Sequence, residues 1–96
     1  MKKNAILINV ARGAVTDEKA IADAILSKNL GGFATDVYTV EPFPVSHPFS
    51  KLFDCKNVIF TPHMAWAGFE SRERVVQEVA QNISYYLEGK ERNRIC

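Results

Sequence analysis

No run of the sequence stays apolar for the roughly 20 residues that a helix needs to cross a bilayer, so no membrane span is expected. Cysteine is scarce. The two present, Cys55 and Cys96, are too few for the disulfide framework a small secreted domain usually needs, and both are expected to be free thiols. An excess of either charge is also missing: 12 basic and 11 acidic residues give a formal charge of +1. That balance supplies no electrostatic reason to expect nucleic acid or an anionic membrane as a partner. No tight ligand pair of the C-x-x-C type occurs, so Cys55, His47 and His63 do not read as a zinc site and no metal is expected. The opening MKKNAILINVA has two lysines and an apolar run that breaks at Asn9 and Arg12, too early for a secretory leader. The expected compartment is therefore the cytoplasm. Internal repeats and low-complexity tracts are absent.

What remains is 96 residues, 47% apolar and 24% charged, which is ordinary globular usage for one small domain. Residues Ala5 to Val10 form a nearly unbroken apolar run, as expected of a parallel strand covered on both faces. Thr16 is the expected N-cap of a helix whose apolar face is Ala20, Ile21, Ala24 and Ile25. Asp17 and Glu18 suit the dipole in its first turn, and Gly31-Gly32 supplies the expected left-handed stop. A second strand is predicted over Gly32 to Tyr38 and a third over Asn57 to Thr61. Between them lies a long loop with three of the four prolines, holding at most one helical turn around Phe49 to Phe53. The longest helix is predicted from Gly68 or Phe69 to Glu88, closed by Gly89, with Val75, Val76, Val79, Ala80, Ile83, Tyr86 and Leu87 on one face. The tail KERNRIC is expected to fray unless something holds it.

This order predicts an α/β fold: a partial Rossmann-like domain of about three parallel strands with flanking helices and a long C-terminal helix. In such sheets ligands bind at the carboxyl edge of the strands. The first strand is followed by Asn9 to Gly13, the second by Asp36 to Glu41 and the third by Pro62-His63. One arginine, two acids and one histidine are thereby expected on one rim. Singly these are ordinary residues, most often solvated. Together, a guanidinium fork that matches a carboxylate and an imidazole that titrates near neutrality suit redox chemistry on a 2-hydroxy acid. A carboxylate beside the imidazole would orient it and favour its charged form. The hydride would have to come from a cofactor.

The motifs resemble a known family. LINVARGAVTDEKAI, GFATDVYTVEP and NVIFTPHMAWA are similar, in order and in spacing, to the signatures of the D-isomer-specific 2-hydroxyacid dehydrogenases. The resemblance runs from about Ala5 through the last helix and corresponds to the C-terminal part of that family's NAD-binding domain. It implies that Arg12 binds and polarises a 2-oxo acid, that His63 donates and accepts the proton, and that Glu41 pairs with the histidine. It further implies that Asp36 lies near the nicotinamide carboxamide and that Val10, Ala11 and Ala65, with Arg12 and His63, border the cofactor. Trp66, in HMAWA, is similar to the glycerate dehydrogenase (hydroxypyruvate reductase) branch and is implied in substrate binding beside Arg12 and His63. NAD or NADP is the implied cofactor. No role is assigned to His47.

The Gly-x-Gly-x-x-Gly fingerprint is absent, since the five glycines never fall in that pattern. Residues 1–96 therefore read as a single partial domain, lacking both the pyrophosphate cradle and the substrate domain. Such a chain is expected to be a truncated reading frame, a recombinant fragment or a gene remnant, with negligible turnover alone and weak cofactor binding. An uncovered sheet edge and an apolar helix face predict self-association as a homo-oligomer. The competing reading is a non-catalytic α/β module that only self-associates or binds a partner.

Overall fold

The computed structural model describes residues 1–95 and divides into two units, Met1–Met64 and the residues from Ala65 onward. Cys96, one of the two expected free thiols, lies outside the described residues, whereas Cys55 is a free thiol.

The first unit is built on three parallel strands, β1 (Ile6–Asn9), β2 (Gly32–Thr35) and β3 (Val58–Phe60), in the order β1-β2-β3. Ile6 faces Gly32 and Asn9 faces Thr35 across the first pair; Phe33 faces Val58 and Thr35 faces Phe60 across the second. Because side chains alternate along a strand, Leu7, Phe33 and Val58 share one face, and Ile8, Ala34 and Ile59 share the other. The first face is the core side. Phe33 is buried there with Phe49 and Leu52 of a 3-10 turn (Pro48–Leu52) and with Ile21, Ala22 and Ile25 of helix α1 (Glu18–Leu26). The Phe33 and Phe49 rings lie 5.1 Å apart and tilted, a favourable aromatic arrangement.

The opposite face corrects the expectation of a first strand covered on both sides, because Ile6, Ile8 and Ile59 are all about two-thirds exposed. The central strand is β2, and it alone is mostly buried along its length. An unbroken apolar run cannot distinguish a doubly covered strand from one whose second face is open.

Two helix ends also differ from expectation. Asp17, not Thr16, caps α1: its carboxylate accepts the Ala20 N–H at 2.9 Å. Thr16 instead closes a preceding 3-10 turn, Gly13–Val15. The left-handed stop is Lys28 (φ 58°), after which the Asn29 and Leu30 N–H groups both return to the Ala24 carbonyl. Gly31 is needed for another reason. A Cβ there would meet the Asn4 backbone at 2.7 Å, so the glycine allows the chain entering β2 to pass against the chain entering β1.

The second unit comprises a 3-10 turn (Ala65–Ala67), helix α2 (Phe69–Leu87) and the tail. Gly89 takes the left-handed conformation just beyond the helix, as its position predicts. None of the α2 residues is buried, and Val75, Val76, Val79 and Ile83 are each more than half exposed. The tail is tied down rather than frayed. Arg92 donates to Glu78 at 2.7 and 3.2 Å, to Asn82 at 2.8 Å and to Gln81 at 2.7 Å. Among the described residues no helix is long and apolar enough to cross a membrane.

Candidate active site

Each strand of the first unit delivers its following residues to the carboxyl edge. After β1 the chain turns on Asn9, which is buried. Its amide donates to the Arg12 carbonyl at 2.9 Å, and its side-chain oxygen accepts the Ala11 N–H at 3.1 Å. This local turn leaves Val10, Ala11 and Arg12 exposed on the rim. Gly13 then passes so close to the Tyr38-Thr39 peptide that a Cβ would lie 2.0 Å from the Tyr38 carbonyl carbon. No other residue would allow the arginine turn and the following loop to approach this far.

After β2, Asp36 is buried, and its Oδ1 accepts the Thr61 hydroxyl at 2.6 Å and the Met64 N–H at 2.9 Å. One carboxylate oxygen thus holds the chain on both sides of His63. The Tyr38 hydroxyl adds a bond to the Thr61 carbonyl at 2.8 Å. Burial, together with the charges of Asp36 and Glu41, raises the Tyr38 phenol above its ordinary value.

His63 itself has φ 52°, a left-handed backbone that side chains other than glycine and asparagine seldom adopt. Its Nδ1 lies 2.7 Å from Glu41 Oε2, while Glu41 Oε1 accepts the Tyr38 N–H at 2.8 Å. The bond from His63 is the main reason that the Glu41 carboxyl is held below the ordinary glutamate value. The Tyr38 N–H and the charges of His63 and Arg12 act in the same direction. An ionised carboxylate only accepts, so Nδ1 carries the hydrogen in this pair. A cavity of about 540 Å³ borders the two, lined by Tyr38, Phe43, Phe53 and Phe60 as well as by Glu41 and His63.

Of the residues singled out by sequence, the structure brings Glu41 and His63 into direct contact. Arg12 acts on Glu41 through its charge, while its guanidinium donates to the neighbouring Ala11 carbonyl at 2.7 Å. Asp36 and Val10 lie next to each other, since Asn9 and Thr35 are paired and the Asp36 N–H donates to the Asn9 carbonyl at 3.0 Å. Ala65 and Trp66 fall in the second unit, where the Arg72 guanidinium lies 5.9 Å from the centre of the Trp66 ring. The sequence reading assigned no role to Asn9, Tyr38 or Thr61, whose polar side chains brace the rim through hydrogen bonds that leave no spacing signal. It also missed that His47 is buried against Glu18. Among the described residues no three His, Cys, Asp or Glu side chains cluster as a metal site would need.

Residues 1–65 match the family model described as D-isomer specific 2-hydroxyacid dehydrogenase, NAD binding domain. The chain is 43% identical over 90 residues to a glyoxylate reductase of Thermofilum pendens, covering 94% of this chain and 26% of the relative. It is 38% identical over 93 residues to a glycerate dehydrogenase of Methylorubrum extorquens, covering 97% and 29%. Among solved structures it is similar to a D-isomer specific 2-hydroxyacid dehydrogenase from Xanthobacter autotrophicus Py2 in complex with NADPH and MES. That match has a TM-score of 0.70 and 34% identity, and covers 95% of this chain and 36% of the other. The chain thus spans little more than a quarter of the length of these curated relatives.

Proposed function

This chain belongs to the D-isomer-specific 2-hydroxyacid dehydrogenase family, and on that premise we propose that its rim is the catalytic edge of an NAD(P)-dependent oxidoreductase. The substrate class is a small D-2-hydroxy or 2-oxo acid of the glycerate or hydroxypyruvate type, as the Trp66 motif implies. The observation that carries the reading is the 2.7 Å bond between His63 and Glu41.

In this reading the Arg12 guanidinium binds the substrate carboxylate and polarises the 2-oxo oxygen. His63 keeps its Nδ1–H on Glu41 and moves a proton at Nε2: to the carbonyl oxygen in reduction, from the hydroxyl in oxidation. Glu41 fixes the ring and balances the imidazolium while the ring is charged. A nicotinamide cofactor, when bound, would supply the hydride chemistry that no side chain offers. The residues present fit a nicotinamide end: exposed Val10 and Ala11 would offer apolar contact, and the buried carboxylate of Asp36, held by Thr61 and Met64, follows the neighbouring strand. They do not fit its pyrophosphate, since no glycine-rich loop is in the sequence. By themselves the 96 residues therefore turn over negligibly, and His63-dependent reduction of hydroxypyruvate by the pure chain would contradict this.

The reading is tested by a chimera in which this chain replaces the matching segment of the Methylorubrum glycerate dehydrogenase. The chimera should reduce hydroxypyruvate, and His63→Ala should lower kcat by roughly 10²–10⁴-fold, the usual worth of a general acid. A folded, active chimera indifferent to His63→Ala rules the assignment out. Self-association is supported by the exposed row Ile6, Ile8 and Ile59 and by the exposed apolar residues of α2. Light scattering that shows a monomer at high concentration would exclude it.

A further inference from the structure

A second histidine–carboxylate pair lies in the first unit, beneath the loop that carries Glu41. Glu18 is the first residue of α1, and its side chain is only 11% exposed; that of His47 is 7% exposed. His47 Nδ1 accepts the Phe49 N–H at 3.2 Å, so its Nε2 carries the hydrogen and donates it to Glu18 Oε2 at 2.9 Å. The other oxygen, Glu18 Oε1, accepts the Thr39 N–H at 2.8 Å. The His47 ring is packed against Phe43 at 4.6 Å and Phe49 at 5.1 Å between centroids. One mostly covered carboxylate therefore grips the loop at Thr39 and at His47, and Glu41 lies between these two points.

We propose that Glu18 and His47 are positioning residues that anchor both ends of the 39–47 loop so that the Glu41 carboxylate meets His63. The loop has no regular backbone pairing of its own, and without anchors it would lose conformational order that the Tyr38–Glu41–His63 chain of bonds requires. The inference rests on the proposed pairing of Glu41 with His63, and its test separates the two.

The experiment is NMR of the isotope-labelled 96-residue chain. One readout is the His63 Nδ1 proton, expected at low field at reduced temperature; the others are the Tyr38 and Thr39 amide exchange rates. In the unaltered chain the His63 proton should be visible, and Glu41→Ala should abolish it. A spectrum without it, unchanged by Glu41→Ala, overturns the pairing and the proposal together. Glu18→Ala and His47→Ala should each remove the His63 signal and, with one bond lost, speed Tyr38 amide exchange on the order of tenfold. Asp17→Ala, which removes only the α1 cap, should leave the signal in place and so separates loop anchoring from general destabilisation. His47→Gln keeps a donor for Glu18 and should rescue the signal. If Glu18→Ala does not fold, Glu18→Gln decides: it keeps one of the two acceptor contacts, and a weakened signal over an intact core supports the anchor. A full-strength His63 signal in folded Glu18 and His47 variants overturns the proposal and leaves the pairing standing.

Discussion

The two units hold their shape by different means. In the first, Phe33, Phe49 and Leu52 are fully buried and surround α1 and the sheet with one apolar core. In the second, α2 has no buried residue, and its tail is secured by Arg92 reaching Glu78, Gln81 and Asn82. A core resists small perturbations until it fails as a whole, whereas a helix with surface contacts responds to each one separately. The side chains proposed to do chemistry at short range, Glu41 and His63, belong to the cored unit, where a 2.7 Å contact can be kept.

The largest effect should come from the core. Phe33→Ala is expected to cost about 3–5 kcal/mol, most of what holds a small domain together, as measured by urea denaturation. A cost under about 1 kcal/mol would mean that the first unit is not organised around this ring. Acid should act on both units more gently. Glu41 and Glu78 are each held below the ordinary value of 4.5, Glu41 chiefly by its bond from His63 and Glu78 chiefly by its bond from Arg92. A lowered carboxylate stabilises the fold above the unfolded value, and that contribution disappears as pH falls through the lowered value. As pH falls below the ordinary glutamate value and through the lowered value of Glu78, the tail of the second unit should detach while the strands of the first persist, as followed residue by residue by NMR. Simultaneous loss of both would break the distinction. The smallest effect is expected from Val76→Ala on α2, within about 0.5 kcal/mol, since that side chain is 69% exposed. A larger thermal shift would show the valine covered in solution, by a second copy of the chain in the first instance.

Sequence reading recovered the order of strands and helices because hydrophobic period and glycine punctuation are local signals. The meeting of Glu41 with His63 was legible because residues following parallel strands must collect at one edge. What it could not see were hydrogen bonds made at long sequence separation. The anchoring of Thr61 and Met64 by Asp36 is of this type, as is the grip of Glu18 on Thr39. Lys28 in a left-handed turn was invisible for a related reason, since the expected Gly31, three residues later, is spent on a close backbone crossing.

The left-handed main chain at His63 carries one more consequence. Holding a residue with a Cβ there costs about 1–2 kcal/mol, and only glycine adopts it freely. Glycine, however, has no ring to carry a proton. On the proposed reading of His63 as the proton carrier, durability and chemistry thus ask for different amino acids at the same place.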